Sequence, residues 1–341
     1  MTFSSPPRFA APNTAPADLL GAIDQAGRQL GAIRAAIGGV IFGQDEVILQ
    51  SLAAILAGGH MLLIGVPGLA KTRLVETLGV TLGLDTRRIQ CTPDLMPSDI
   101  LGAEVLEESE SGRRSFRFIP GPVFSQLLMA DEINRASPRT QSALLQAMQE
   151  RKITVAGQDR PLPAPFHVLA TQNPLEQEGT YPLPEAQLDR FLLQIDIDYP
   201  DLEAERHMLL ATTMAAETPA KPVITAAALQ EMQDLVRRMP IGEKVVEGIL
   251  ALVRNGRPDT SNLDIVKNYV TWGPGPRASQ ALSLAARARA LIDGRLAPSM
   301  DDVLALAGPV MRHRMALGFA ARAEGVTMER VLDAMAKSAD R

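Results

Sequence analysis

Between residues 60 and 198, five short apolar runs alternate with stretches of helical period: HMLLIG (60–65), RIQCT (88–92), QLLMAD (126–131), FHVLAT (166–171) and FLLQIDI (191–197). A continuous apolar run flanked by helices is the pattern of a strand covered on both faces. Such strands pair in parallel beneath crossover helices, so the predicted class is α/β, a three-layer αβα core around a parallel sheet. After residue 200 the strand pattern fades, and segments such as AALQEMQDLVRRM, KVVEGILALVRNG, ASQALSLAARARALIDG and MDDVLALAGPVMRHRMAL are helical by period. A smaller all-helical domain is therefore expected over 201–341, joined near Tyr199-Pro200-Asp201. Ahead of the core, which spans 18–200, Leu19, Ile23, Leu30, Ile33 and Ile37 mark an amphipathic helix. Residues 1–17, with prolines at 6, 7, 12 and 16, read as a flexible tail rather than a signal peptide.

The first run leads into GVPGLAKT (65–72), which resembles the phosphate-binding pattern G-x-x-x-x-G-K-[ST] except at Ala70. Its context is that of a phosphate loop. It follows an apolar strand, and a helix opens at Lys71-Thr72, which aims backbone N–H groups and a helix N-terminus at an anion. Gly65, Pro67, Gly68 and Ala70 shape the loop, Lys71 reaches outer phosphates, and the Thr72 hydroxyl suits Mg²⁺. The plain alternative is a strand-to-helix turn shaped by Pro67 and Gly68.

LLMADE (127–132) ends a second apolar strand on two carboxylates. Magnesium takes oxygen ligands and keeps several waters, so Asp131 through a water shell plus the Thr72 hydroxyl suffices on the protein side. Glu132 is suited to act as base toward an attacking water. Each motif alone is weak, and together they support each other.

TPDLMPSDILG (92–102), FIPGPVFSQLLMADEINRA (118–136) and the stretch from DEINRASPRT to LDRFLLQI (131–195) resemble the MoxR family of AAA+ ATPases. GxPGxAKT, with alanine before the lysine, is common there. The resemblance covers most of 36–200 and extends more loosely into the helical region. It implies an AAA+ core with a helical lid, ATP and Mg²⁺ as ligands, and a homo-oligomeric, hexameric ring. It also implies chaperone-like work on a client protein, often with a partner carrying a von Willebrand factor A domain. Asn173 in FHVLATQNP matches the sensor-1 position, which orients the attacking water. Arg190 in EAQLDRF matches the arginine finger that acts on a neighbouring subunit. Arg277 in GPGPRAS matches the sensor-2 arginine, expected to complete the site on its own subunit. Local rules alone also allow Asn173 as a turn residue before Pro174, and Arg190 as a surface arginine paired with Asp189 or Glu185.

Pro276 suits a first helical position, which puts Arg277 in a first turn, against the helix dipole, so an anion is expected beside it. Residues 93–123 interrupt the strand–helix alternation with an insertion, expected to hold a hairpin around Glu110–Arg113. Residues 151–165 give a second hairpin signal around Gly157-Gln158. The family resemblance implies that both project toward a central pore or a bound client; the plain alternative is surface loops that only pack against neighbouring subunits.

The formal net charge of −5 and the lack of a Lys/Arg-rich stretch count against a nucleic-acid motor. A scaffold that holds ATP without appreciable turnover remains the other alternative. A single cysteine, Cys91, excludes an internal disulfide and a cysteine-built metal site. His60, His167, His207 and His313 lack metal-ligand spacing and are expected to be ordinary core or surface residues. With no convincing membrane span, a cytoplasmic protein is expected.

Overall fold

The computed structural model describes residues 16–108, 114–176, 178–213 and 219–339. Helices α1 (Pro16–Gly38) and α2 (Asp45–Leu56) lead into strand β1 (Met61–Ile64), and α3 (Lys71–Thr81) carries the chain to β2 (Thr86–Gln90). A short helix α4 (Pro97–Leu101) and an excursion of β3 (Gly102–Glu108) and β4 (Arg114–Pro120) precede β5 (Leu127–Asp131). Next come α5 (Pro138–Glu150), a hairpin of β6 (Lys152–Val155) and β7 (Gln158–Pro161), then β8 (His167–Gln172), α6 (Glu185–Leu188) and β9 (Leu193–Asp196).

The five apolar runs form one parallel sheet in the order β2-β5-β8-β1-β9. Successive side chains point to opposite faces, and both faces are covered. Met61, Leu63, Leu127, Met129 and Leu169 join the apolar cluster under α1, α2 and α3. Their neighbours Leu62, Leu128, Ala130, Val168 and Ala170 join a second cluster under α5. The three-layer expectation holds because alternate residues of β1, β5 and β8 enter separate cores, while the edge strands β2 and β9 each feed one of them.

The expected insertion is the α4–β3–β4 excursion, whose strands pair antiparallel from Gly102↔Pro120 to Glu108↔Arg114. The turn expected around Glu110–Arg113 lies outside the described residues. The second hairpin turns at Ala156 and Gly157, with φ of 50° and 77°, one residue earlier than expected. Two successive left-handed residues match the right-handed twist of the flanking strands. The two hairpins meet where the Arg160 guanidinium lies 4.0 Å over the Phe118 ring and 3.5 Å from Glu104.

The remaining elements are α7 (Leu202–Thr213), α8 (Ala226–Arg238), α9 (Glu243–Asn255), α10 (Asp264–Tyr269), β10 (Val270–Trp272), α11 (Pro276–Ile292), α12 (Met300–Met311), β11 (Ala316–Leu317), α13 (Phe319–Ala323) and α14 (Met328–Ala339). The helical region holds no separate core, since one apolar cluster runs from α1 and α2 into α8, α9, α11 and α12. It also departs from an all-helical reading through the antiparallel ribbon of β10 with β11. MDDVLALAGPVMRHRMAL, expected as one helix, stops at Met311 and passes through a 3₁₀ turn, Arg312–Arg314. Hydrogen bonds from those three side chains to the chain around β9 override the helical period there. Among the described residues, no helix is long and apolar enough to cross a membrane.

Two imidazoles are buried where β1 and β8 begin. Val168 N–H donates to His60 Nδ1 at 3.0 Å, so His60 Nε2–H donates to the Met148 carbonyl at 3.1 Å. His167 Nδ1–H donates to the Gly59 carbonyl at 2.8 Å, and Gln233 Nε2 donates to His167 Nε2 at 3.0 Å. Both rings are held neutral: burial above all pushes His60 down to about 3 and His167 down to about 4. The unfolded chain binds protons on both below about pH 6.5 while the folded chain does not, so stability falls as pH drops through that range. Each histidine adds a slope of up to about 1.4 kcal/mol per pH unit. Urea unfolding at pH 7 and pH 5 is therefore expected to show a marked loss of stability at pH 5 in the wild type. A His60→Gln/His167→Gln variant should lose less over the same interval, and an equally flat wild-type profile would contradict this account.

Candidate active site

Strand β1 ends against Gln172, whose carbonyl accepts from Gly65 N–H at 3.3 Å. A Cβ at Gly65 would lie 2.8 Å from the Ile197 carbonyl oxygen, so the crossing needs glycine. The loop then turns through Gly68 (φ 87°) and Ala70 (φ 53°, ψ 24°) into α3. The left-handed conformation at position 70 is why the general pattern has glycine there, and alanine pays about 1–2 kcal/mol to adopt it. No side chain caps α3 at Ala70, which leaves the first-turn N–H groups facing the loop. Lys71 Nζ donates to the Gly65 carbonyl at 2.6 Å across the loop. Burial lowers the Lys71 pKa, against the attraction of Asp131, Glu132 and Glu176.

The two carboxylates at the end of β5 are held from both sides. Thr171 Oγ1 on β8 donates to Asp131 Oδ1 at 2.5 Å and accepts from Glu132 N–H at 2.9 Å. From β2, Arg88 Nη2 donates to Asp131 Oδ2 at 2.5 Å and Gln90 Nε2 donates to Glu132 Oε2 at 2.7 Å. Arg135 Nη1 also donates to Glu132 Oε2, at 3.1 Å. Glu132 itself is left-handed, with φ 55° and ψ 51°, a strained conformation typical of functional sites. Asn173 follows β8 directly; it is buried, and its Oδ1 accepts from Leu175 N–H at 3.1 Å. The buried Cys91 beside this group is pushed up to about 12, by burial first and then by the two carboxylates.

Sequence reasoning missed Arg88, Gln90, Thr171 and Arg135. The signal for two of them was present: in RIQCT, Arg88 and Gln90 are polar at alternate positions of an otherwise apolar strand, so both project on one face beside β5. A cavity of about 380 Å³ beside the loop was also missed. Val40, Ile41, Phe42 and Gln44 line one wall, Tyr199 and Pro200 the other, and Pro67–Ala70 the floor. Gln44 Nε2 ties the walls by donating to the Asp198 carbonyl at 2.9 Å. The lining is mostly apolar, with Gln44, Arg73 and Glu205 as its polar members, and has room for a nucleobase next to the candidate phosphate loop.

The structure does not bring the two predicted arginines to this end of the sheet. Arg190 precedes β9 and Gly65 follows β1, and these strands run parallel in the register Met61↔Leu193 to Ile64↔Asp196. Four strand residues therefore separate them, roughly 13 Å before the loops are counted. Arg190 and Arg277 instead line one cavity of about 270 Å³ with Arg151, Asp189, Arg314 and Gly58–His60. Arg277, expected to serve the site of its own subunit, thus lies apart from Lys71, Asp131 and Glu132 of its chain. Pro276 does open α11, but that N-terminus packs at the far edge, and the anion beside Arg277 Nη1 is Asp189 Oδ2 at 3.5 Å. Nor does Arg190 pair with Asp189 or Glu185. Asp189 is taken by Arg314 at 2.7 Å and by Arg277, and among the described residues no carboxylate pairs with Arg190.

No group of three or more His, Cys, Asp or Glu side chains able to hold a metal occurs among the described residues. The donors at the loop nevertheless fit magnesium as it is held beside phosphates, by a hydroxyl (Thr72) and a carboxylate (Asp131) with waters and the phosphates themselves.

Comparison with known proteins gives both a family and a fold. The family described as ATPase family associated with various cellular activities (AAA) matches residues 60–193, and the AAA lid domain matches 263–335. The chain is 41% identical over 296 residues to the chaperone MoxR1 of Mycobacterium tuberculosis, covering 86% of this chain and 77% of that one. It is 33% identical over 304 residues to protein MoxR of Paracoccus denitrificans, covering 83% of this chain and 87% of that one. A crystal structure of a candidate ATPase from Cytophaga hutchinsonii superposes with a TM-score of 0.86 at 36% identity, over 94% of this chain and 97% of that one.

The backbone at position 70 yields a direct test. Ala70→Gly relieves a left-handed alanine but makes the unfolded chain more flexible, and the first effect is the larger. Its urea midpoint is expected to rise at unchanged slope, a gain of about 0.5–1 kcal/mol in stability. A fall in the midpoint would show that the loop is not strained there.

Proposed function

The chain belongs to the MoxR family of AAA+ ATPases, and on that premise we propose that it hydrolyses ATP with Mg²⁺ at sites completed between neighbouring copies in a ring, a hexamer by analogy with the fold. Its work is then the remodelling or maturation of a client protein, with a partner carrying a von Willebrand factor A domain as the family resemblance implies. The observation that carries this reading is the separation of the two charged groups. Lys71, Asp131 and Glu132 gather at one edge of the sheet, while Arg190, without a carboxylate partner among the described residues, and Arg277 gather at the other.

In this reading the base sits in the apolar cavity under Ile41 and Tyr199, and the phosphates lie along residues 65–72. Lys71 would leave the Gly65 carbonyl for the outer phosphates. Thr72 and Asp131 would hold magnesium, which supplies charge neutralisation on those phosphates when bound. Glu132 would take a proton from the attacking water, with Asn173 orienting that water. Arg190 of a neighbouring copy would neutralise charge as it develops on the transferred group, an effect worth about 10³–10⁵ in rate where such fingers have been removed. A low-turnover scaffold also has support in one observation: Arg88 donates to Asp131, and Gln90 and Arg135 donate to Glu132, so these donors compete with waters for the same oxygens.

ATP hydrolysis per subunit, followed across a dilution series with Mg²⁺, is expected to climb with protein concentration as sites are completed. An appreciable rate that stays flat while sizing shows monomers would sink the shared-site reading. Lys71→Ala is expected to lose nucleotide affinity, and unchanged binding would remove the phosphate-loop assignment. Glu132→Gln should bind ATP with wild-type affinity but turn it over at least about 10²-fold more slowly. Normal turnover in that variant would take the base role from Glu132.

A further inference from the structure

The turn Arg312-His313-Arg314, which ends α12, spends its polar groups on one short piece of chain. Arg314 is 2% exposed, yet it carries a full guanidinium into the core. Its Nε donates to Asp189 Oδ1 at 2.7 Å, its Nη2 to the Asp189 carbonyl at 3.3 Å and the Phe191 carbonyl at 2.5 Å, and its Nη1 to the Leu192 carbonyl at 3.1 Å and to the Val310 carbonyl. His313 Nε2–H donates to the same Phe191 carbonyl at 3.1 Å. Arg312 pairs with Asp196 at the end of β9. The residue inside this bracket is Arg190. Its backbone is fixed on both sides, while its side chain has no carboxylate partner among the described residues. Asp189, gripped by Arg314, also reaches Arg277 at 3.5 Å.

Burying an arginine costs several kcal/mol of desolvation, and apolar residues of similar volume often give an equally stable core. Packing alone therefore does not account for Arg314. A forked donor that meets the carbonyls of Asp189, Phe191 and Leu192 and the Asp189 carboxylate does account for it, because it locks backbone geometry that apolar contact leaves loose. A side chain that must act across an interface needs this combination of a rigid base and a free end.

We infer that Arg314 is a positioning residue: through the Asp189 carboxylate and the carbonyls of Asp189, Phe191 and Leu192 it sets both Arg190 and Arg277 for action on a neighbouring copy, and so ties the finger to the helical region. The inference rests on the reading that Arg190 acts in trans. It assigns Arg314 no contact with ATP and no part in the site of its own subunit.

The test uses the full-length chain with Arg314→Lys, which keeps the charge but loses the fork, and Asp189→Asn, which keeps the volume in case the lysine variant folds poorly. Each is expected to bind ATP with wild-type affinity and to turn it over about 10²-fold more slowly, the scale of a misplacement of about 1 Å. Mixing either with Glu132→Gln subunits, whose own finger is intact, should restore turnover well above the sum of the two components. Arg190→Ala, mixed in the same way, is the control. Wild-type turnover in both Arg314→Lys and Asp189→Asn would overturn the inference. So would slow turnover in both that Glu132→Gln fails to rescue while it rescues Arg190→Ala, because the damage would then lie in the fold of the whole subunit. If Arg190→Ala alone keeps wild-type turnover, or is not rescued by mixing, the trans reading itself fails and the inference falls with it.

Discussion

The parallel pairing of β1 with β8 on one side and β9 on the other fixes where everything else can act. Because the strands run the same way, residues that follow them converge on one edge of the sheet. Gly65–Thr72 after β1, Asp131-Glu132 at the end of β5 and Asn173 after β8 meet there as a direct consequence of register. The same pairing sends residues that precede a strand to the opposite edge. Arg190 lies just before β9, so no small adjustment of a loop could bring it to the Lys71 of its own chain. The helical region obeys this division, since α11 and the turn after α12 pack at the edge where Arg190 emerges.

At the first edge, the polar groups are organised at a cost that packing elsewhere must offset. Ala70 and Glu132 both take left-handed backbone, each destabilising by about 1–2 kcal/mol. Strain of this kind persists only where the surroundings over-determine the geometry. Here Thr171 does part of that, since one hydroxyl bridges the Asp131 carboxylate and the Glu132 amide. The apolar cluster that runs without a break from α1 into α14 supplies the stability against which such local costs are set.

Much of this was legible in the amino-acid order, and the reasons are physical. The central strands β1, β5 and β8 are short apolar runs because they are buried on both faces, and that signal survives without any knowledge of partners. The convergence of Lys71, Asp131 and Glu132 was legible because it needs only strand ends and parallel pairing. Arg277 was misplaced because its position depends on how a helix docks, and the local features of Pro276-Arg277 say that an anion is near without saying whose. The answer was Asp189 of the same chain. Arg314 was invisible for a related reason. Its partners are backbone carbonyls more than 120 residues away, and RHR within an apolar helical pattern carries no mark of them. Likewise, the Arg88 and Gln90 contacts depend on which strand lies beside β5.

The central claim is that the catalytic groups of one site belong to two copies of the chain. The most direct measurement is ATP turnover in an equimolar mixture of two variants that are each inactive, Lys71→Ala, which keeps Arg190, and Arg190→Ala, which keeps the phosphate loop. The account predicts that the mixture regains a substantial fraction of wild-type turnover, because Arg190→Ala sites can be completed by the intact finger of a Lys71→Ala neighbour. Turnover no greater than that of the separate variants, in a mixture shown to exchange subunits, would contradict it.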